Sequence, residues 1–317
     1  MGNRVRTGVI GVGYLGQYHA EKYARHPDVD FVGIVDVDPA RAAKIAAKLD
    51  TRAYGKAEDL FGKVDALSIV VPTVHHFQVA RQCLQEGIHL LIEKPITETL
   101  AQADELIDLA SRKGVVLQVG HIERFNPAVR AIKAELRTPK YIQTERRAPF
   151  TVRCTDVNVV LDLMIHDLDI VCDLAGSAPR ELSAAGASLI TREVDQATVR
   201  IVFANNAVAD LTASRVSDEK KRVLSVFDGE SLFSADYQEQ KASRARKGDG
   251  TVPELVWELL PGDRTDTLND EIHAFVNCIR RKERPQVSGA EGRRALALAQ
   301  LITRNIESVI AGFVPIA

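Results

Sequence analysis

The first third of the chain alternates between short apolar runs rich in β-branched residues and stretches in which apolar residues recur every three or four positions. Apolar strands that alternate with helices are typical of a parallel sheet covered by helices on both faces. We therefore predict a Rossmann-type, doubly wound α/β domain. Its expected strands are 4–10, 31–35, 66–71, 89–92 and 115–119, and its expected helices are 17–25, 39–49, 74–85 and 100–113.

The pattern changes after Gly120. A helix over 126–136, a strand over 141–150 and a helix that opens near Val160 are expected there. Several long strands joined by Asn-Asn and Asp-Gly turns follow over 181–237, and such hairpin turns indicate antiparallel pairing. We therefore expect a second, α+β domain built on a large, mainly antiparallel open sheet.

The boundary between the two domains is expected near His121. Residues 1–121 would form the dinucleotide-binding domain, and residues 122–317 the domain for substrate binding and oligomerisation. The polar stretch 238–250 is predicted to be a loop. Two helices are expected to close the chain, and the last of them could pack back on the first domain.

The composition excludes some classes of function. Among 317 residues, 41 Lys and Arg face 43 Asp and Glu, so the chain lacks the basic surface that nucleic-acid binding requires. Its four cysteines are scattered without metal-ligand spacing, which indicates reduced thiols and no metal site. The chain begins directly on a strand, and no apolar run reaches the roughly 18 residues of a membrane span. We expect a cytoplasmic protein that contacts neither membrane nor nucleic acid.

A glycine motif lies between the first expected strand and helix, with the sequence Gly11-Val-Gly13-Tyr14-Leu15-Gly16. In this context the first glycine permits a tight turn, the second lets the backbone approach a pyrophosphate, and the third allows close packing of helix and strand. The helix N-terminus then supplies free N–H groups and a positive dipole end. We predict a dinucleotide site formed by these residues; the alternative is a structural glycine turn.

Asp36 ends the second expected strand, 25 residues after Gly11. An acidic side chain at this position accepts hydrogen bonds from the ribose hydroxyls of the adenosine half and repels a 2′-phosphate. Together with the glycine motif it predicts NAD, rather than NADP, as the cofactor. An exposed aspartate without a ligand is the alternative.

Two further groups of residues carry candidate chemistry. Glu93 and Lys94 stand at the carboxyl end of an expected strand, the edge that lines the ligand crevice in open α/β sheets. Asp162, His166 and Asp169 follow at helical spacing in an apolar helix and would share one face. A histidine suits the removal of a hydroxyl proton. The alternatives are a surface Glu–Lys pair for the first group and a core polar network or a metal site for the second.

These motifs together resemble the glucose–fructose oxidoreductase, inositol dehydrogenase and rhizopine-catabolism (Gfo/Idh/MocA) family. The resemblance runs from GVIGVGYLGQYHA through VVPTVHH, IEKP, GHIERFNP and the DxxxH helix to VSGAEGRRAL. It implies that Lys94 lies at the nicotinamide and the reacting carbon, that Asp162 holds the substrate, and that His166 is the general base. It also implies that the cofactor is lined by Thr73, His76, Glu93 and Lys94. Val159-Val160 stands where the family commonly has a diglycine, which weakens any hexose or inositol assignment.

GHIERFNPAV and LDLMIHDLDIV are most similar to the family's bacterial dehydrogenases that oxidise C3 of UDP-N-acetylglucosamine before an amine is installed for lipid A. Such a substrate has a diphosphate, which arginine forks match well. Arg124 and Arg153 are the candidates to bind it, while Arg146 and Arg147 are left open between substrate contact and an exposed strand.

Two alternatives remain. A dehydrogenase of a free polyol, hexose or inositol needs the same Lys94, Asp162 and His166, and a non-catalytic NAD-binding regulator could dispense with them. Family members typically pair their sheet faces into dimers and tetramers. The alternating strands 198–203 and 208–213 are expected to present a broad apolar face for this purpose, which predicts a homo-oligomer, most readily a tetramer.

Overall fold

The computed structural model describes residues 4–152, 157–248, 250, 252 and 254–311. Two compact units account for the chain: the first contains residues 1–122 and 266–294, and the second contains residues 123–265 and 295–317. The expected division placed all of 122–317 in the second domain. The structure instead groups residues 266–294 with the first unit.

The first unit contains a six-stranded parallel sheet in the order β3-β2-β1-β4-β5-β6. This is the Rossmann order, in which the strand order reverses between β1 and β4. The strands are β1 Val5–Ile10, β2 Val29–Val35, β3 Arg52–Tyr54, β4 Ala66–Ile69, β5 His89–Glu93 and β6 Leu117–Gly120. The helices are α1 Gly16–Arg25, α2 Pro39–Lys48, α3 Thr73–Gln85 and α4 Leu100–Lys113, to which α7 Thr267–Arg281 is added. The predicted doubly wound fold is confirmed.

Local chemistry explains where these helices begin and end. The Asp38 side chain accepts the N–H groups of Ala40 and Arg41, and Pro39 occupies the first turn of α2. Thr99 and Gln102 form a capping box at the start of α4, which ends at Gly114 in the left-handed conformation. These signals explain why the periodic stretches became helices close to their expected bounds.

The second unit contains an eight-stranded, mainly antiparallel sheet in the order β14-β13-β12-β11-β7-β10-β9-β8. Only the β7–β10 pair is parallel among the pairings described. The strands are β7 Tyr141–Arg147, β8 Pro179–Ala187, β9 Gln196–Phe203, β10 Val208–Ser214, β11 Lys221–Phe227, β12 Ser231–Asp236, β13 Lys241–Lys247 and β14 Leu255–Leu259. The helices are α5 Pro127–Glu135, α6 Ile165–Ala175 and the greater part of α8 Gly289–Ala311. The predicted sheet class is therefore confirmed.

The prediction of a loop over 238–250 is wrong, because most of it is strand β13. Ala242 and Ala245 are buried, and β13 pairs with β12 on one side and β14 on the other. The two alanines are three positions apart, so one is buried on each face of the strand. Pairing on both sides outweighs the polar, weakly strand-forming local sequence.

The expectation of a broad apolar sheet face is also wrong. The apolar residues of β9 and β10, such as Val199, Ile201 and Leu211, face the helix-covered core. The opposite face carries Arg200 and Asp210, joined by two hydrogen bonds of 2.7 and 2.6 Å. Alternation of side chains along a strand puts the polar residues on the open face once the apolar ones have covered the core.

Within the part of the chain that the structure describes, no helix is long and apolar enough to cross a membrane. Three of the cysteines, Cys83, Cys172 and Cys278, are buried. Cys154 lies outside the described residues.

Candidate functional site: a cofactor loop and a DxxxH helix

The glycine motif connects β1 to α1, as expected. Gly11 has a φ of +86°, and a Cβ there would lie 2.6 Å from the Val70 carbonyl oxygen. A Cβ on Gly16 would lie 1.8 Å from the Gly11 carbonyl oxygen, so glycine is required at both positions. A Cβ on Gly13 would meet none of the described atoms within 4 Å. The loop is therefore tight at its two ends and open in the middle, which fits the approach of a diphosphate.

An open groove of about 740 Å³ adjoins this loop. It is lined by Val12, Gly13, Tyr14 and Gln17 from the loop side and by Arg41, Lys44, Ile45 and Lys48 of α2. Tyr14 is 63% exposed and Leu15 is 37% exposed, so neither side chain is used in the core. The groove has the position and the positive side chains that the adenosine and phosphate parts of a dinucleotide need.

Asp36 lies at the end of β2, where its carboxylate organises the cofactor loop. One oxygen accepts the backbone N–H of Val12 at 2.8 Å, and the other accepts the N–H of Asp38 at 2.9 Å and lies 3.2 Å from Arg41 Nη1. The carboxylate therefore ties the glycine loop to the start of α2. These contacts add a structural task to the predicted recognition of the ribose.

Replacing Asp36 with alanine is expected to weaken NAD binding by about tenfold or more, because a charge-assisted hydrogen bond is worth roughly 1.5–3 kcal/mol. Discrimination against NADP should fall as well, since Arg41 would then face a 2′-phosphate without its carboxylate neighbour. Fluorescence titration with NADH and NADPH measures both effects. Asp38→Ala, which removes the cap of α2 and an exposed ion pair with Arg41 but leaves Asp36 in place, is the matched control and should leave both affinities near wild type. Unchanged affinity and selectivity in Asp36→Ala would remove Asp36 from the cofactor site.

Glu93 and Lys94 stand at the end of β5 and are both half-buried. The peptide bond between Lys94 and Pro95 is cis. His76, expected to line the cofactor, is buried in α3, with its ring nitrogens 2.9 Å from the carbonyl oxygens of Pro95 and Val71. Burial lowers the pKa of His76 despite these hydrogen bonds. The ring therefore fastens the turn that carries Lys94 to the segment before α3.

Thr73 is the first residue of α3 and is half-buried at the helix N-terminus, beside that same segment. A hydroxyl at a helix N-terminus is placed to meet an anionic or amide group of a ligand. Its contact with the cofactor stays a prediction.

In the second unit, the helix that carries Asp162 and His166 begins at Asn158. The Asn158 side chain accepts the N–H groups of Val160 and Leu161, and its amide donates to Thr303 at 3.2 Å. The first turn, Val160–Met164, is a π-helix in which the N–H of Ile165 donates to the carbonyl of Val160. A single π-helical turn is uncommon and frequently marks a functional site. Sequence reasoning missed Asn158, although an asparagine just before an apolar helical run is an N-cap signal.

Asp162 and His166 are half-buried, whereas the adjoining Met164, Ile165 and Asp167 are buried. Asp169, which was expected to share their face, has a different environment. Asp169 is fully buried, with an oxygen 3.7 Å from Arg124. A buried carboxylate needs a partner of opposite charge, which Arg124 supplies here. Asp162 and His166 therefore keep partly open side chains, as groups that act on a substrate must.

The arginines expected to meet a diphosphate have different environments. Arg124 is 4% exposed and forms ion pairs with Asp169 and, at 3.0 Å, with Asp173, so its charge is neutralised within the unit. This geometry assigns Arg124 to the interior rather than to a ligand. Arg153 lies outside the described residues.

The sequence did not decide whether Arg146 and Arg147 contact a substrate. In the structure the two arginines lie on opposite faces of β7. Arg146 is buried and donates to Asp167 at 2.7 and 3.0 Å and to Glu123 at 3.1 Å. Arg147 lies on the open face, 42% exposed, and pairs with Glu145 at 3.2 Å. Arg146 therefore anchors α6 at Asp167, the residue after His166, while Arg147 belongs to the surface.

Arg146→Ala is expected to destabilise the protein by roughly 3 kcal/mol, because it leaves the carboxylates of Asp167 and Glu123 buried without their cation. The neighbouring substitution Arg147→Ala should cost less than about 1 kcal/mol, as expected for an exposed pair. Urea denaturation of both variants measures the difference. Equal and small effects would show that the buried ion pairs do not stabilise this unit.

Arg222 is a candidate functional-site residue that sequence reasoning missed. It pairs in register with Arg146, so it lies on the same, helix-covered face of the sheet, and it remains 34% exposed. Burial and the charge of Arg146 lower its pKa, against the charges of Glu123, Asp167 and Asp162. The signal was available, since Arg222 stands two residues before the buried Leu224 and alternation puts both on one face.

Comparison with known proteins defines the class of protein to which this chain belongs. A model of the oxidoreductase family with an NAD-binding Rossmann fold matches residues 5–121, and the GFO/IDH/MocA C-terminal domain model matches residues 128–231. The chain belongs to the GFO/IDH/MocA family of NAD-binding oxidoreductases. The family, the enzyme class and the cofactor predicted from the sequence are thereby confirmed.

Within this family, the chain is more similar to some relatives than to others. The chain is 39% identical to the UDP-N-acetylglucosamine 3-dehydrogenase of Acidithiobacillus ferrooxidans, over 96% of this chain and 98% of that protein. A solved structure of that enzyme superposes with a TM-score of 0.91, at 38% identity and over the same shares of the two chains. The scyllo-inositol 2-dehydrogenase of Bacillus subtilis is 27% identical over 97% of this chain and 96% of that protein.

Proposed function

We propose that this protein oxidises the C3 hydroxyl of UDP-N-acetylglucosamine to a ketone and passes the hydride to NAD. The 39% identity with a dehydrogenase of that substrate, extending over nearly the full length of both chains, carries the proposal. The free-sugar and inositol dehydrogenases that match 94–97% of this chain are less similar to it, at 24–27% identity.

The cofactor fits the residues of the first unit. Gly11, Gly13 and Gly16 leave the middle of the loop open for a diphosphate, and Asp36 stands where the ribose hydroxyls would lie. Bound NAD supplies the hydride acceptor. Lys94 and Thr73 would line its nicotinamide half, with Glu93 and His76 fixing the turn that carries Lys94.

Three side chains are assigned to the substrate hydroxyl. His166 accepts the hydroxyl proton, because an imidazole can take up a proton near neutral pH. The Asp162 carboxylate accepts a hydrogen bond from the sugar and fixes its ring. The Lys94 ammonium donates to the oxygen that His166 deprotonates and stabilises the negative charge that develops there as the proton leaves. The chain retains both Lys94 and the Asp162–His166 pair, which argues against a regulator that only binds NAD.

A substrate panel tests this function. The enzyme with NAD is incubated with UDP-N-acetylglucosamine, other UDP-sugars, myo-inositol and free hexoses, and the absorbance of the reduced cofactor is recorded. We expect the highest kcat/KM with UDP-N-acetylglucosamine. Faster turnover of myo-inositol or of a free hexose would replace the nucleotide-sugar assignment with the polyol dehydrogenase.

We also propose a homo-oligomer, most readily a tetramer. The edge strand β14 exposes Leu255, Val256, Trp257 and Leu259, and an exposed apolar edge is suited to pairing with a second copy. Light scattering at micromolar concentration should give a mass well above that of one chain. A mass near 34.8 kDa would contradict the proposal.

The product would be a 3-keto nucleotide sugar. A ketone at that carbon is the substrate that a transaminase converts to an amine, so we place the reaction in the cytoplasm before such a step, in the supply of amino sugar for lipid A. The test is conversion of the product by an amine donor and an aminotransferase. A stable ketone that no aminotransferase accepts would contradict this placement.

A further inference from the structure

A continuous hydrogen-bonded chain of side chains runs through the interior of the first unit to Glu93. His19 Nε2 lies 3.2 Å from Glu93 Oε1, and His19 Nδ1 lies 3.2 Å from Ser68 Oγ. The Ser68 hydroxyl is in turn 2.8 Å from the hydroxyl of Tyr23. His19, Ser68 and Tyr23 are at most 1% exposed. Donation from Tyr23 to Ser68, from Ser68 to Nδ1 and from Nε2–H to Glu93 satisfies all three contacts.

The other oxygen of Glu93 accepts the backbone N–H of Lys94 at 3.3 Å. Burial alone would raise the pKa of Glu93, but the hydrogen bond from His19 and the charge of Lys94 outweigh it and lower that pKa. The charge of this carboxylate also acts to raise the pKa of His76, although burial lowers that pKa overall. Glu93, the residue that precedes Lys94, is therefore held as an anion.

A second carboxyl group adjoins this chain from α7. Glu271 is fully buried, and burial together with the charge of Glu93 raises its pKa well above the usual value. Neither of its side-chain oxygens has a hydrogen-bond partner among the described residues. Of the two neighbouring carboxyls, the one that His19 contacts stays ionised and the one without a donor takes the proton. Both groups share an apolar interior, and the contacts of Glu93 with His19 and Lys94 are what distinguish it from Glu271.

We propose that His19 is a positioning residue that keeps the Glu93 carboxylate ionised and in place, so that Glu93 in turn holds the proton on the Lys94 ammonium. The inference rests on the proposed function for the role of Lys94 in turnover, but not for its effect on the lysine itself. An anion next to a lysine favours the charged form, so loss of that anion lets the proton leave at lower pH. His19 thus acts on the reaction through two other residues and touches neither substrate nor cofactor.

Two substitutions at one position test this. His19→Leu fills similar space without an N–H donor, whereas His19→Gln retains a donor that can reach Glu93. Lysines of the full-length protein are reductively methylated with ¹³C, and the Lys94 signal is identified as the one missing in Lys94→Arg. Its titration midpoint is followed by NMR, which needs no substrate.

We expect the Lys94 midpoint to fall by about one pH unit in His19→Leu, the lower end of the effect of a neighbouring opposite charge. His19→Gln should restore most of that shift. Glu93→Gln, which removes the charge itself, should lower the midpoint in the same direction and serves if His19→Leu does not fold. An unmoved midpoint in His19→Leu or Glu93→Gln, or an equal fall in His19→Gln, would overturn the inference.

The alkaline limb of kcat for UDP-N-acetylglucosamine should move to lower pH in parallel with the NMR midpoint. A merely structural role of His19 would lower kcat at every pH and leave the limb in place, which would also overturn the inference. If the wild-type enzyme does not oxidise this sugar, the proposed function fails, while the NMR titration still decides the role of His19.

Discussion

Replacing His166 with asparagine is expected to lower kcat by about 100-fold or more while NAD binding persists. Asparagine keeps the polarity and approximate size of the side chain but cannot accept the hydroxyl proton. The loop and the aspartate that would hold NAD belong to the first unit, whereas His166 belongs to the second, so the cofactor contacts are retained. Steady-state rates and NADH fluorescence titration measure the two effects separately.

Lys94→Met should lower kcat by a similar factor, because it removes the positive charge that stabilises the developing oxyanion. Lys140→Met, at an exposed lysine in the second unit, is the matched control and should turn over normally.

Near-normal turnover of His166→Asn from about pH 6 to 9, a range that spans an ordinary imidazole pKa, would show that the base lies elsewhere.

Removing the UDP group from the substrate is expected to lower kcat/KM by about 1,000-fold or more. A single sugar hydroxyl gives little binding energy, whereas a diphosphate offers several charge-assisted hydrogen bonds that orient the ring at the reacting carbon. A factor of 1,000 corresponds to about 4 kcal/mol, which two or three such bonds can supply. The measurement compares N-acetylglucosamine with its UDP derivative at saturating NAD. Equal kcat/KM for both would eliminate the nucleotide-sugar assignment.

The arginines give this prediction a structural control. Arg153→Ala is expected to penalise the UDP-sugar and leave NAD affinity unchanged, since Arg153 remains the predicted contact for the diphosphate. Arg124→Ala should instead lower the free energy of unfolding, because Arg124 is 4% exposed and paired with Asp169 and Asp173. Loss of UDP-sugar binding in a stably folded Arg124→Ala variant would return Arg124 to the substrate site.

Much of the fold could be predicted because burial imposes a period on the sequence. The strands of the first sheet are largely buried, so β1, β2, β4 and β5 are mostly apolar and could be identified from the sequence. β13 could not be identified in this way, because Ala242 and Ala245 are small and the remaining residues are polar, and only pairing with two neighbouring strands makes it a strand. Its existence depends on contacts that no local pattern contains.

The candidate site shows the same division. A glycine motif and a DxxxH spacing are local, so both could be identified in the sequence. Whether Arg146 or Arg147 is buried depends on the register of β7, and the sequence alone leaves that open. The contact of His19 with Glu93 spans 74 positions and depends on how α1 packs against the sheet. Neither residue carries a local signal of the other.

The proposed reaction is tested most directly by the fate of the hydrogen at C3. UDP-N-acetylglucosamine labelled with deuterium at C3 is incubated with the enzyme and NAD, and both the nucleotide sugar and the nicotinamide cofactor are then measured by mass spectrometry. We expect the deuterium to appear in NADH and an equal amount of sugar to become the 3-keto derivative. NADH formed without deuterium would place the oxidation at another carbon, and the absence of any reduced cofactor would contradict the proposed function itself.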